Sequence, residues 1–198
     1  MAFLGRKSYF VGLTLGMLTG LILGGLWPTT PLHAVATDRA EGFCMATGFV
    51  DDSLEAVFIL DSRVGSLRGA VLSNQTPGLQ ARYAANVLAD LARSVGELNV
   101  RIQQENVARK KEGIPPRPEV LLPQSPHFMM VTGATDIRRG AAREQPGQSV
   151  VYVAETTTGV VLAYAIPWSR NDHQTSRPYM GNLILWAADQ FSSTVLRP

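Results

Sequence analysis

Phe43-Cys44-Met45-Ala46-Thr47-Gly48 returns later in the chain as Phe128-Met129-Met130-Val131-Thr132-Gly133, and an aspartate follows three residues past each glycine, Asp51 and Asp136. A second likeness comes behind each copy. Val57-Phe58-Ile59-Leu60-Asp61-Ser62-Arg63-Val64-Gly65 aligns with Val151-Tyr152-Val153-Ala154-Glu155-Thr156-Thr157-Thr158-Gly159, and an apolar run follows each closing glycine. A stretch apolar on alternate and intervening positions alike reads as a strand covered on both faces. An acid early and a glycine late suit a tight hairpin loop, because the carboxylate bonds turn amides and glycine takes a positive φ without steric cost. The pattern predicts a strand at 42–50 and a hairpin of 55–60 with 66–72. It predicts the same again at 127–133, 150–154 and 160–166. One element used twice decides the fold.

Between and after the copies the pattern changes. Leu79, Tyr83, Val87, Leu91, Val95, Leu98 and Ile102 recur at three or four residues, which predicts an amphipathic helix from 79 to 110. Ala84, Leu88, Leu91, Val95, Leu98 and Ile102 also fit the alternating four-three spacing of a coiled coil, over fewer heptads than that reading requires. Basic Arg109-Lys110-Lys111 near its end complements the helix dipole. Residues 114–126 hold five prolines and read as an extended linker. Residues 137–148 are an insertion carrying Arg138, Arg139 and Arg143. Residues 168–179 read as a polar loop, and 183–191 as a short closing helix, with a strand at 183–186 as the alternative. The expected fold is α+β: a mainly antiparallel sheet of about six strands, from strand–strand–strand–helix repeated over halves 43–111 and 127–198. Three strands alone would be marginal, so a shared core is expected.

The segment 152–166, and more loosely 58–72, resembles the strand–turn–strand of quinone-dehydrogenase-type and related propeller blades. Those blades also join two apolar runs through a polar turn ending in glycine. Propellers need at least four blades of four strands, and this chain offers two hairpins and a long helix. No cofactor site follows from the resemblance.

Ahead of the domain, residues 9–27 form a 19-residue uncharged stretch preceded by Arg6-Lys7 and closed by Pro28. A bilayer core takes about 20 apolar helical residues, so the stretch reads as a single-pass signal-anchor. Charge before the span and none just after it places the N-terminus in the cytoplasm and exports the rest, in a bacterial cell to the periplasmic side of the inner membrane. The competing reading is a cleaved signal peptide, for which Ala34-Val35-Ala36 supplies a cleavage site. Gly12, Gly16, Gly20 and Gly24 repeat every fourth residue, a glycine zipper along one helix face where another backbone can approach closely. Residues 28–42 are the juxtamembrane linker.

Arg6 and Lys7 are the only Lys or Arg charges in residues 1–36, and removing them from 18 Lys+Arg leaves 16, against 16 Asp+Glu. A neutral exported domain disfavours nucleic acid as a partner. The lone Cys44 rules out an intrachain disulfide. His33, His127 and His173 are dispersed, and no His-Glu-x-x-His or Cys-x-x-Cys spacing points to a metal, so no metal or cofactor is expected. The second copy has Met129 at the place of Cys44, which favours packing over nucleophilic chemistry. Asp51 and Asp136 could converge as an acid/base pair, although turn formation explains them more simply.

Three readings remain. The first is a membrane-anchored, outward-facing interaction or scaffold protein without catalytic activity, self-associating and open to protein partners. The second is an extracytoplasmic binding or sensing module for a small anionic ligand, using Arg138, Arg139 and Arg143 on the insertion with Arg170 and His173 on the polar loop. The third, the weakest, is an enzyme built on Asp51 and Asp136.

Overall fold

The computed structural model describes residues 14–20, 37–137 and 145–191. The chain divides into two units, Met1–Ala34 and Val35–Pro198. In the first, residues 14–20 are helical and exposed, and nothing lies within 4 Å of a Cβ built on Gly16 or Gly20. The rest of the expected span, with Gly12 and Gly24, lies outside the described residues. Among those described, no helix is long and apolar enough to cross a membrane.

The second unit is α+β and mostly sheet. Its strands are β1 (Thr37–Ala40), β2 (Phe43–Asp51), β3 (Leu54–Asp61), β4 (Ser66–Leu72), β5 (Leu79–Asn86), β6 (Phe128–Ala134), β7 (Gln145–Glu155), β8 (Val160–Trp168), β9 (Tyr179–Asn182) and β10 (Ile184–Gln190). They form two sheets rather than the single sheet expected. Sheet A has six strands in the order β1-β2-β3-β4-β5-β9, and sheet B has four in the order β10-β8-β7-β6. All pairings are antiparallel except β5 with β9. Both expected hairpins are present, and Gly65 and Gly159 close them with φ of 64° and 69°.

Two elements differ from expectation, each for a local reason. Residues 79–86 are a strand, not the start of the helix. Ala81 and Tyr83 alternate inward while β5 pairs with β4, so the period-four spacing of Leu79, Tyr83 and Val87 straddles a strand-to-helix boundary. Asn86 sets that boundary: its side chain accepts from Ala89 N at 3.0 Å, and Val87 N donates to Gly65 O at 2.8 Å. At the other end, residues 184–190 are a strand bulged between Leu185 and Ala187, in place of the expected closing helix. Pairing with β8 outweighs the weak local preference of Leu-Trp-Ala-Ala.

Helix α1 (Val87–Lys111) buries Val87, Leu91, Val95, Leu98 and Ile102 in one core shared with both sheets. Full burial of such side chains contributes about 1.5–3 kcal/mol each. The stripe with coiled-coil spacing thus faces the chain's own core. Tyr164 of β8 donates to Asp90 in the first helical turn at 3.0 Å, and its hydroxyl pKa is raised, first by burial and then by the Asp90 charge. The proline-rich segment is extended but tied down. Asn99 and Asn106, two turns apart on α1, each hold one residue's backbone by both its N–H and its C=O, at Val120 (2.8 and 2.9 Å) and Arg117 (2.6 and 2.8 Å). An asparagine amide offers a donor and an acceptor side by side, as a neighbouring strand would.

Sheets A and B meet where β2 approaches β6 and β7. A Cβ on Gly48 would stand 2.6 Å from Ser149 Oγ and 3.1 Å from Thr132 Cβ. Through that glycine gap Ser149 Oγ donates to Phe49 O at 2.7 Å, and Thr132 Oγ1 donates to Thr47 O.

Candidate functional site

At one end of this junction the chain returns from sheet B to sheet A through Ser169 and a five-residue helix, α2 (Arg170–Gln174). The expected polar loop therefore holds a helix, and its last residue, Tyr179, opens β9. Ser169 accepts from Asp172 N at 3.2 Å and starts the helix. Gln80, on β5, fastens the turn. Its Nε2 lies 3.1 Å from Asp172 O, 3.0 Å from His173 O and 3.3 Å from Arg177 O. Gln75 adds a bond from Nε2 to Gln174 O at 2.8 Å.

Arg170 grips Asp51 with two guanidinium nitrogens, Nε to Oδ2 at 2.7 Å and Nη2 to Oδ1, while Trp168 Nε1 donates to the same Oδ2 at 3.1 Å. Arg170 Nη2 also lies 3.5 Å from Asp52. The hydrogen bonds from Arg170 hold the Asp51 carboxyl below its ordinary pKa, against the opposing effect of burial. A carboxylate so engaged is a poor general base near neutral pH. This removes the footing for an acid/base pair of Asp51 with Asp136. Arg170, expected as an anion ligand, spends its charge on two aspartates of the same chain.

His173 is the second expected ligand that the fold brings here. It is 8% exposed, with its ring 5.1 Å from that of Trp168 and tilted by 45°. Among the described residues neither ring nitrogen has a hydrogen-bond partner, and neither has the Oε1 of Gln80. Burial lowers the His173 pKa, and the Asp51 charge partly opposes this. These atoms border a cavity of about 10 Å³, whose lining includes Tyr83, Trp168 and Tyr179. That is about the room of a single water molecule. On the outer side of Arg170 and His173 lies an open depression of about 330 Å³, reached by Asp52 and Asn74.

The fold thus brings Arg170 and His173 together, while Arg138, Arg139 and Arg143 lie outside the described residues. Among the described residues no cluster of three or more His, Cys, Asp or Glu could hold a metal ion. Cys44 is buried, its Sγ 3.7 Å from Phe128 O, whereas Met129 is 56% exposed, so the two do not occupy like environments. The sequence reading missed Gln80, which a helix at 79–110 hides. Read as a strand, the same residues would have placed Gln80 on the edge facing the return turn. No family model matches the chain, and no match is found among curated proteins or solved structures.

Proposed function

We propose that this chain is a membrane-anchored, outward-facing interaction or scaffold protein of the periplasmic side of the inner membrane, held by residues 9–27 and self-associating. The observation that carries the self-association is the outer face of sheet B. Val131, Tyr152, Ala163 and Ala187 stand side by side across β6, β7, β8 and β10, with Met129, Ala154 and Val161 in the next row. Met129, Val131 and Tyr152 are exposed large hydrophobics. The only charge in these two rows is Asp189 at the β10 edge. An apolar patch with its one charge at the edge suits a second sheet of the same kind. The glycine face of residues 12–24, read from the sequence, offers a second contact between copies. Mass measurement of the full chain in mild detergent tests this. A dimer or larger assembly is expected, reduced by Val131→Glu if sheet B carries the contact and by Gly16→Leu/Gly20→Leu if the glycine face does. A strict monomer at all concentrations overturns the reading.

A second reading, a binding module for a small anionic ligand, draws support from a different pair of arginines, Arg68 and Arg82. Among the described residues neither forms an ion pair, in contrast to Arg170.

A further inference from the structure

The outer face of sheet A carries a groove of about 720 Å³. Its floor follows from the register. Arg68 on β4 stands opposite Ala84 on β5, and Ala70 stands opposite Arg82. The four positions make a square, with arginines on one diagonal and alanines on the other. Ala70 and Ala84 leave the space, and Arg68 and Arg82 rise on either side of it. On the β3 side the wall is Val57 and Ile59; on the far side it is Leu79 and Met180, the latter 82% exposed. Volume and lining match a small-molecule site: mostly apolar walls with a few charged groups that fix orientation.

Electrostatics make the arrangement unusual. Diagonal neighbours on adjacent strands lie about 7–8 Å apart, within reach of long side chains, and two like charges so placed repel. The nearest relief within the protein is slight: Arg68 Nε lies 3.5 Å from Ser66 Oγ. On this face of β3 the acids Glu55 and Asp61 sit at opposite ends of the strand, and Asp61 pairs with Arg63. Two guanidiniums at this spacing can share one carboxylate through charge-assisted hydrogen bonds. The apolar walls then run on from that point along β3 and β9.

We infer that this groove binds a straight-chain carboxylate of fatty-acid type, its head between Arg68 and Arg82 and its chain along Ile59, Leu79 and Met180. The inference rests on the second reading above and moves its site from the insertion to sheet A. Length and charge both enter, so neither a short anion nor a neutral chain should substitute.

The test uses the full chain in phosphatidylcholine nanodiscs, labelled with ¹³C at methionine methyls and titrated with sodium decanoate. The Met180 methyl should shift saturably while that of Met129, on sheet B, stays in place. Arg68→Ala/Arg82→Ala should weaken the response at least about tenfold, since each hydrogen bond to a charged group is worth more than a kcal/mol. Decanol and acetate should each bind at least about tenfold more weakly than decanoate. Ala84→Trp, which fills the groove and keeps both arginines, should abolish the shift. An unchanged methyl resonance of the buried Met130 would show that each variant is folded. Decanoate binding that survives both variants and is lost on Arg138→Ala/Arg139→Ala/Arg143→Ala overturns the groove and leaves the anion-binding reading standing. No response to decanoate, acetate or phosphate overturns both. A Met180 shift caused by phosphatidylglycerol nanodiscs alone, without decanoate, would assign the groove to a lipid surface and overturn the inference.

Discussion

The β2–β3 hairpin and the β6–β7 hairpin pair in matching register over Phe43–Gly48 and Phe128–Gly133, and they bury opposite sides. Phe43 faces Asp61 in the first, and Phe128 faces Glu155 in the second; Gly48 faces Ala56, and Gly133 faces Val150. Yet Cys44 and Ala46 point into the core from β2, whereas Phe128 and Met130 do so from β6. Phe43 is 38% exposed and Phe128 only 1%. Side chains on a strand alternate, so choosing the other face exchanges every inward residue at once. The contrast follows from what each strand must meet. β2 crosses close to β6 and β7, and its small inner residues, Cys44, Ala46 and Gly48, let backbone and hydroxyls touch. Strand β6 faces the space between the sheets and fills it with Phe128 and Met130. A likeness of sequence therefore does not imply a like environment, and the two stretches resemble each other in register alone.

Exchanging the aromatics breaks the comparison most sharply. Phe128→Ala removes a fully buried ring and should cost about 3–5 kcal/mol. Phe43→Ala removes a ring that contacts solvent and the Arg63 guanidinium, 4.9 Å from its centroid, and should cost about 1 kcal/mol or less. Urea unfolding of both variants measures the difference directly. Equal losses would mean that the two hairpins bury the same face.

The acids opposite these rings give the next largest contrast. Glu155 is 1% exposed, and its carboxylate accepts from Thr158 N and Oγ1 (both 2.7 Å), Thr157 N (3.1 Å) and His127 N (3.2 Å). Burial alone would raise its pKa, but these four donors outweigh that and lower it. Asp61 sits on the open side, accepting from Arg63 N at 3.0 Å and lying 3.6 Å from Arg63 Nε. Glu155→Ala strands several buried donors and should cost about 2–3 kcal/mol. Asp61→Ala loses a solvated turn contact worth about 0.5 kcal/mol. Thermal or urea unfolding separates them, and a costly Asp61→Ala would contradict the assignment of faces.

Much of this architecture could be read from the residues, and the limits have definite causes. The β3–β4 and β7–β8 hairpins showed themselves because Asp61-to-Gly65 and Glu155-to-Gly159 carry local turn chemistry, and the helix because Val87, Leu91, Val95, Leu98 and Ile102 keep one period. The start of the helix was lost because Leu79 and Tyr83 happen to continue that period while belonging to a strand. Which face each copy buries was beyond local pattern: strands apolar at nearly every position, such as 43–50, permit either, and only the partner strand decides. Arg170 and His173 could be named as a polar pair, but not their use, since Asp51 lies 119 residues from Arg170 in sequence. Arg68 and Arg82 passed unnoticed because the square with Ala70 and Ala84 exists only once β5 is a strand.

The smallest effect concerns acidity, and it distinguishes the junction from both hairpins. Asp51 and Glu155 both have lowered pKa values, so each favours the folded state above its ordinary range and loses that contribution as pH falls below about 4. His173 acts earlier. Its folded pKa lies below the ordinary 6.5 because burial disfavours the imidazolium. Below pH 6.5 the unfolded chain binds the extra proton first, so stability is full above that pH and declines as pH falls towards the folded pKa. The Asp51 charge on β2 tempers the decline, because it favours the proton. From β5 the uncharged Gln80, Ala81 and Tyr83 line the cavity, and from β9 the neutral Tyr179. His173→Phe keeps an aromatic against Trp168 and removes the titration. Unfolding free energy measured from pH 7.5 to 5 should fall gently for the parent chain and stay flat for this variant, while the steeper fall below pH 4 persists in both. Parallel curves above pH 5 would mean that His173 is hydrated in solution and that the return turn does not seal the junction between the sheets.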